Sequence, residues 1–227
     1  MKIVKFFIPG IYASLAAAEW SRDFAADWTL ADEANHSGIP YVYSDDVWTA
    51  PGFVQKRCDE IYPLICRELD LGNTVDLAGH SHGGAIICEL LRRLLSDGRT
   101  VRNVHFIAAA APVDLSENGL DASHTAATGI IANLYSTGDM ILATFGVWPG
   151  YGQMGRTRID APWFTQIDSS PLDHLEYFDD ENYDRTYAMV VSDPAASDSP
   201  SGLPGAESAQ SDSPPAPPPT SFPLEFK

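Results

Sequence analysis

A chain of 227 residues, 44% of them hydrophobic, is long enough to bury one core and short for two, so a single folded domain is the default. The net charge of −17 is spread along the body of the sequence and repels phosphate backbones and anionic headgroups, which excludes nucleic acid and acidic membranes as natural partners. No apolar run reaches the roughly 18–20 residues that a membrane-spanning helix needs, so no integral membrane segment is expected.

The chain opens MKIVKFFIPGIYASLAAAEW, which has two readings. The basic start, apolar centre and small residues around Ala16 and Ala18 suit a signal peptide. The run Ile3–Ile8 equally suits a buried strand that ends in a Pro9-Gly10 turn. Residues 16–34 are mostly helix-compatible, and 41–43, Tyr-Val-Tyr, form a second strand candidate. Over 53–69 the apolar positions Val54, Cys58, Ile61, Tyr62, Ile65 and Leu69 recur at helical spacing, with Pro63 predicting a kink and Gly72-Asn73 a stop. A strand over 74–78 follows, then GHSHGG, then a helix with an apolar stripe from Ile86 to Leu95 that ends at Gly98. Residues 104–109, 130–135 and 163–167 read as further strands. Alternating strands and helices predict an α/β fold, a mostly parallel central sheet with helices on both faces. Cys58, Cys66 and Cys88 lie in helical segments and form neither a CxxC nor a Cys/His cluster. They read as buried thiols and favour a reducing compartment weakly.

From 192 onward the composition turns to Pro, Ser, Ala and acidic residues. Such a segment buries too little apolar surface to offset its ordering entropy, which divides the chain into a folded domain, 1–191, and a disordered acidic tail, 192–227. The tail has polyproline character at 214–219 and ends in the more apolar FPLEFK, either a frayed end or a short peptide that docks on a partner.

The chemistry concentrates in Gly79-His80-Ser81-His82-Gly83. A bare GxSxG is a weak signal. Placed between a buried strand and a periodic helix it becomes specific, because a turn this tight needs small residues two places either side of the serine and lifts the hydroxyl beside the free N–H groups of the helix start. The competing reading, a phosphate-binding turn, lacks the lysine and glycine spacing of a phosphate loop. A serine nucleophile requires a base oriented by an acid, in the chain order Ser, acid, His. Of the downstream histidines, His105 falls inside a strand, His124 sits between two strands, and His174 follows the last strand on a loop from which a base can reach the sheet's carboxyl end. Asp139 ends a strand one strand before His174; Asp114 follows the preceding strand and is the alternative acid. Either aspartate could be an ordinary helix cap or turn residue. His80 reads as a packed, hydrogen-bonded brace of the turn. The N–H of His82 is well placed to bind an oxyanion. His80 and His82 lack a third ligand, so no metal site is expected, and the reaction requires no cofactor.

AGHSHGG at 78–84, NLYSTGD at 133–139 and DHLEYF at 173–178 together resemble the α/β-hydrolase superfamily, in particular its small lipase- and esterase-like members, over about residues 2–191. The resemblance implies Ser81 as nucleophile, Asp139 as acid and His174 as base of a serine hydrolase acting on a small-molecule carboxylic ester, in a minimal fold with no large cap. It also implies that the turn after the first strand supplies the second oxyanion donor, the N–H of Ile11. The family usually has His-Gly there; this chain has Pro9-Gly10, and Pro9 has no N–H to give. The chain start is then part of the fold and cytoplasmic residence is expected, with export the alternative if the start is a signal peptide. The loop TFGVWPGYGQMGR places Trp148 and Tyr151 close after Asp139, as a wall for an acyl chain or as packing of the loop. A non-catalytic scaffold of the same fold, and an acyltransferase using the same three residues, are the rival classes.

Overall fold

The computed structural model describes residues 2–10, 23–24, 27, 36–40, 50–114, 116, 127–147 and 151–191, of which 36–40, 50–52 and 191 by backbone alone. The expected tail at 192–227, the 41–43 strand, Ile11, His124 and Trp148 lie outside these residues. Among the described residues six strands, β1 (Ile3–Ile8), β2 (His36–Pro40), β3 (Thr74–His80), β4 (Val104–Ile107), β5 (Ile131–Tyr135) and β6 (Thr165–Asp168), form one sheet in the order β2-β1-β3-β4-β5-β6. Every pairing is parallel. The α-helices with both ends among the described residues are α1 (Ala50–Asp70), α2 (His82–Ser96), α3 (Met140–Phe145) and α4 (Asp180–Val191).

Side-chain alternation along the strands divides the apolar residues between two faces. Val4, Phe6, Ile8, Val75, Leu77 and Phe106 point to one face, where they pack with Phe53, Ile61 and Ile65 of α1 and Ile86, Leu90 and Leu94 of α2. Phe7, Ala78, Ile107, Ala132 and Leu134 point to the other, covered by Phe24, Tyr177, Phe178 and Val190. Both faces are covered, which is why the strands read as nearly continuous apolar runs. Each fully buried large aliphatic contributes about 1.5–3 kcal/mol of transfer free energy.

Several element boundaries differ from the sequence pattern. The second strand occupies His36–Pro40, where Ile3↔His36 through Phe7↔Pro40 pair with β1. His-Ser-Gly-Ile-Pro has poor strand propensity, and its position is set by the edge it pairs with; Pro40 is tolerated because β2 is an edge strand. β4 stops at Ile107 because Ala108 takes a positive φ of 44°. β6 begins at Thr165, with Phe164 packed edge-on against Phe106 instead of entering the strand. α1 runs helical on both sides of Pro63, and α2 ends as expected at Gly98, whose φ of 64° lets Arg99 N–H return to the Leu94 carbonyl.

The sheet order carries a functional consequence. β1 connects outward to β2, and the chain then returns to the other side of β1 as β3. The carboxyl ends of β1 and β3 therefore flank a topological switch point, the position where open parallel sheets leave a crevice for ligands. Gly10 follows β1 and Ser81 follows β3.

Candidate active site

Ser81 sits between the last residue of β3 and the first of α2, with φ 54° and ψ −126°. That conformation is costly for a side chain with a Cβ and persists only where the surroundings enforce it. Here both of its peptide groups are tied down: its N–H donates to the Ile107 carbonyl at 3.0 Å, and its own carbonyl accepts from Gly84 at 2.9 Å and Ala110 at 2.8 Å. The flanking glycines are sterically required. A Cβ on Gly79 would meet the Gly83 carbonyl oxygen at 2.8 Å, and one on Gly83 would collide with the Ile8 carbonyl. Gly10 closes the other side, since a Cβ there would lie 2.6 Å from Ser81 Cβ and 3.1 Å from Ser81 Oγ. The backbone after β1 thus leaves no room for a side chain at Gly10 beside the serine, while Ile11 itself falls outside the described residues.

The structure brings the three residues selected from sequence together. His174 Nε2 lies 2.8 Å from Ser81 Oγ, and His174 Nδ1 lies 2.7 Å from Asp139 Oδ2. Asp139 is fully buried and His174 nearly so, which removes water from their contact and strengthens it. Asp139 is also a helix cap: its Oδ1 accepts from Leu142 N–H at 2.7 Å at the start of α3. Its two oxygens thus have separate partners, Oδ1 the helix start and Oδ2 the imidazole. The cap locks the carboxylate so that Oδ2 faces the imidazole. Asp114, the alternative acid, binds Ser116 through its backbone N–H at 2.8 Å and its hydroxyl at 2.6 Å on an exposed turn. His105 is buried in β4, where burial pushes its pKa down to about 4 against the opposing pull of Asp76.

His80 is buried and hydrogen-bonded at the turn. Its Nε2 donates to the backbone carbonyl of His174 at 3.0 Å, its ring lies 4.9 Å from that of His174, and Phe178 packs edge-on at 5.0 Å. It braces the loop that carries His174, with burial holding its pKa down at about 3 and the ring neutral. No sequence signal exposes a contact made across 94 residues. His82 opens α2, so its N–H is among those a helix start leaves without an intrahelical acceptor. Its ring is buried between Phe53, stacked at 5.4 Å, and Tyr151 at 5.3 Å. Tyr151 is half-buried beside the serine turn; Trp148 lies outside the described residues.

Among the described residues no group of three His, Cys, Asp or Glu side chains is placed to hold a metal ion, and no helix is long and apolar enough to cross a membrane. The three cysteines are free thiols; Cys58 and Cys88 are buried and Cys66 is half-buried, and burial raises the pKa of Cys58 to about 12.

No family model matches the chain, and no curated protein sequence does. Solved structures do. The type II thioesterase BorB from the borrelidin biosynthetic cluster superposes with a TM-score of 0.51 at 18% identity, over 84% of this chain and 90% of that one. The lipase BlEst2 from Bacillus licheniformis matches with a TM-score of 0.44 at 14% identity, over 83% of this chain and 90% of that one. The parallel sheet with helices on both faces is an α/β-hydrolase fold.

Proposed function

We propose that this chain is a serine hydrolase that cleaves a carboxylic ester through an acyl-enzyme. The observation that carries the reading is the unbroken relay of 2.8 Å from Ser81 Oγ to His174 Nε2 and 2.7 Å from His174 Nδ1 to Asp139 Oδ2. In the proposed reaction Ser81 Oγ attacks the ester carbonyl as its proton passes to His174 Nε2. Asp139 holds the tautomer with hydrogen on Nδ1 and stabilises the imidazolium. The tetrahedral oxyanion is bound by the N–H of His82 and, in this reading, the N–H of Ile11, each such donor being worth about 2.7–4 kcal/mol in the transition state. Collapse breaks the carbonyl–alkoxide bond, and His174 returns the proton to the departing alcohol. Water then attacks the acyl-serine by the reverse sequence, releasing the acid. Tyr151 and Trp148 form one side of the acyl site in this reading. The strained Ser81 backbone and its enforcing contacts support it further, since such strain clusters where a nucleophile must be presented.

The test is an active-site-directed fluorophosphonate together with a panel of chromogenic esters and thioesters of graded chain length. Labelling at Ser81, identified by peptide mass and lost in Ser81→Ala and His174→Ala, is the expected result. Folded protein that takes no label and turns over no member of the panel would refute it and leave a non-catalytic scaffold.

A further inference from the structure

The loop bearing Asp139 and the loop bearing His174 are laced together. Thr137 N–H donates to Ser170 Oγ at 3.0 Å, and a Cβ on Gly138 would collide with the Pro171 carbonyl. Asp173 belongs to the same seam. Its Oδ1 accepts two backbone N–H groups: that of Met140 at 2.9 Å and that of His174 at 2.7 Å. Met140 is the residue after Asp139. One carboxylate oxygen thus tethers the neighbour of the acid and the backbone of the base, from loops 33 residues apart. Asp173 is itself aimed by its own N–H, which donates to Glu176 Oε2 at 2.7 Å. His80 Nε2 holds the other backbone polar group of the same residue by donating to the His174 carbonyl. An aspartate serving only as a local turn residue would bond within its own loop; this one spans two.

We propose that Asp173 is a positioning residue that sets the distance between Asp139 and His174 and so keeps the imidazole in register with Ser81. The inference rests on the reading of Ser81, His174 and Asp139 as a catalytic relay. Bonds to a charged acceptor are shorter and stronger than neutral ones, so a single oxygen can hold both loops. A displacement of about 1 Å at a reacting group can cost about a hundredfold in rate.

The experiment compares Asp173→Ala, Asp173→Asn and Met140→Pro with wild type. Met140 is the first residue of α3, where proline's missing N–H is tolerated, and Asp139 at φ −62° and ψ 100° already has the extended conformation that precedes a proline. Met140→Pro therefore deletes one of the two bonds to Asp173, and its ring Cδ, standing where the N–H pointed, pushes Oδ1 off that position while the carboxylate itself stays in the chain. Ester turnover should show kcat reduced about ten- to a hundredfold in Asp173→Ala with KM changed less than about threefold. Asp173→Asn, which keeps an acceptor oxygen, should recover most of that loss, and Met140→Pro should fall between. The second readout is the low-field proton resonance of His174 Nδ1–H, sharp in wild type and broadened or shifted in Asp173→Ala and Met140→Pro. Unaltered kcat with an unaltered resonance in Asp173→Ala, a loss confined to KM, or Asp173→Asn as impaired as Asp173→Ala would each overturn the proposal. If Asp173→Ala does not fold, Met140→Pro carries the same comparison. The resonance requires no turnover, so an unreactive Ser81 would sink the hydrolase reading while the positioning role was still decided.

Discussion

His105 offers a quantitative check on the buried polar chemistry of the sheet. It lies on β4 opposite Ala78, fully buried, with Asp76, Lys5 and Arg102 close enough to act on its charge. Burial dominates and holds its pKa at about 4, below the ordinary 6.5. The unfolded chain therefore binds a proton between these two values that the folded protein refuses, and stability rises with pH across that window and is lost as pH falls through it. At pH 5 the unfolded imidazole is almost fully protonated and the folded one almost fully neutral, and the difference amounts to about 2 kcal/mol relative to pH 8. His80, with its pKa held at about 3, adds a similar amount. Urea unfolding of wild type and His105→Gln from pH 8 to pH 5 isolates the first share, because groups that do not interact with His105 cancel in the difference. The wild-type midpoint should move down relative to the variant by about 1 M for a denaturant slope of about 2 kcal/mol per molar. Parallel midpoints across that range would refute the buried, neutral assignment of His105.

Two further outcomes follow from the site. His80→Leu removes the bond to the His174 carbonyl and leaves that acceptor buried, which should cost about 1–3 kcal/mol in stability, measured by urea unfolding, and lower ester turnover; His80→Gln, which can still donate, should restore part of the rate. Equal rates for the leucine and glutamine variants would count against the brace. Asp114→Asn should leave kcat/KM within about twofold of wild type, as for surface substitutions generally, and a large loss would reopen the choice of acid.

The helices at 53–69 and after Ser81 were legible because apolar residues at helical spacing mark a buried stripe whatever the tertiary context. GHSHGG was legible for a related reason: part of the demand for glycine around Ser81 arises within a few residues, where a Cβ on Gly79 would meet the Gly83 carbonyl oxygen. β2 was not, since His36–Pro40 becomes a strand only through its pairing with β1. The dual use of Asp139 was half legible. A loop aspartate before an apolar run reads as a cap, but which oxygen caps α3 and which meets His174 is set by the approach of a second loop.

What the sequence determined by itself is the set of groups that local geometry dictates: apolar periodicity, the tight turn at Ser81 and the order in which serine, aspartate and histidine follow one another. What only the tertiary structure decided is the meeting of groups far apart in the chain: His174 with Ser81 across 93 residues, His80 with the His174 carbonyl, and Asp173 with both loops. The physical reason is that hydrogen bonds act over about 3 Å, so their partners are chosen by where the sheet places the chain and leave no periodic mark on the residues between.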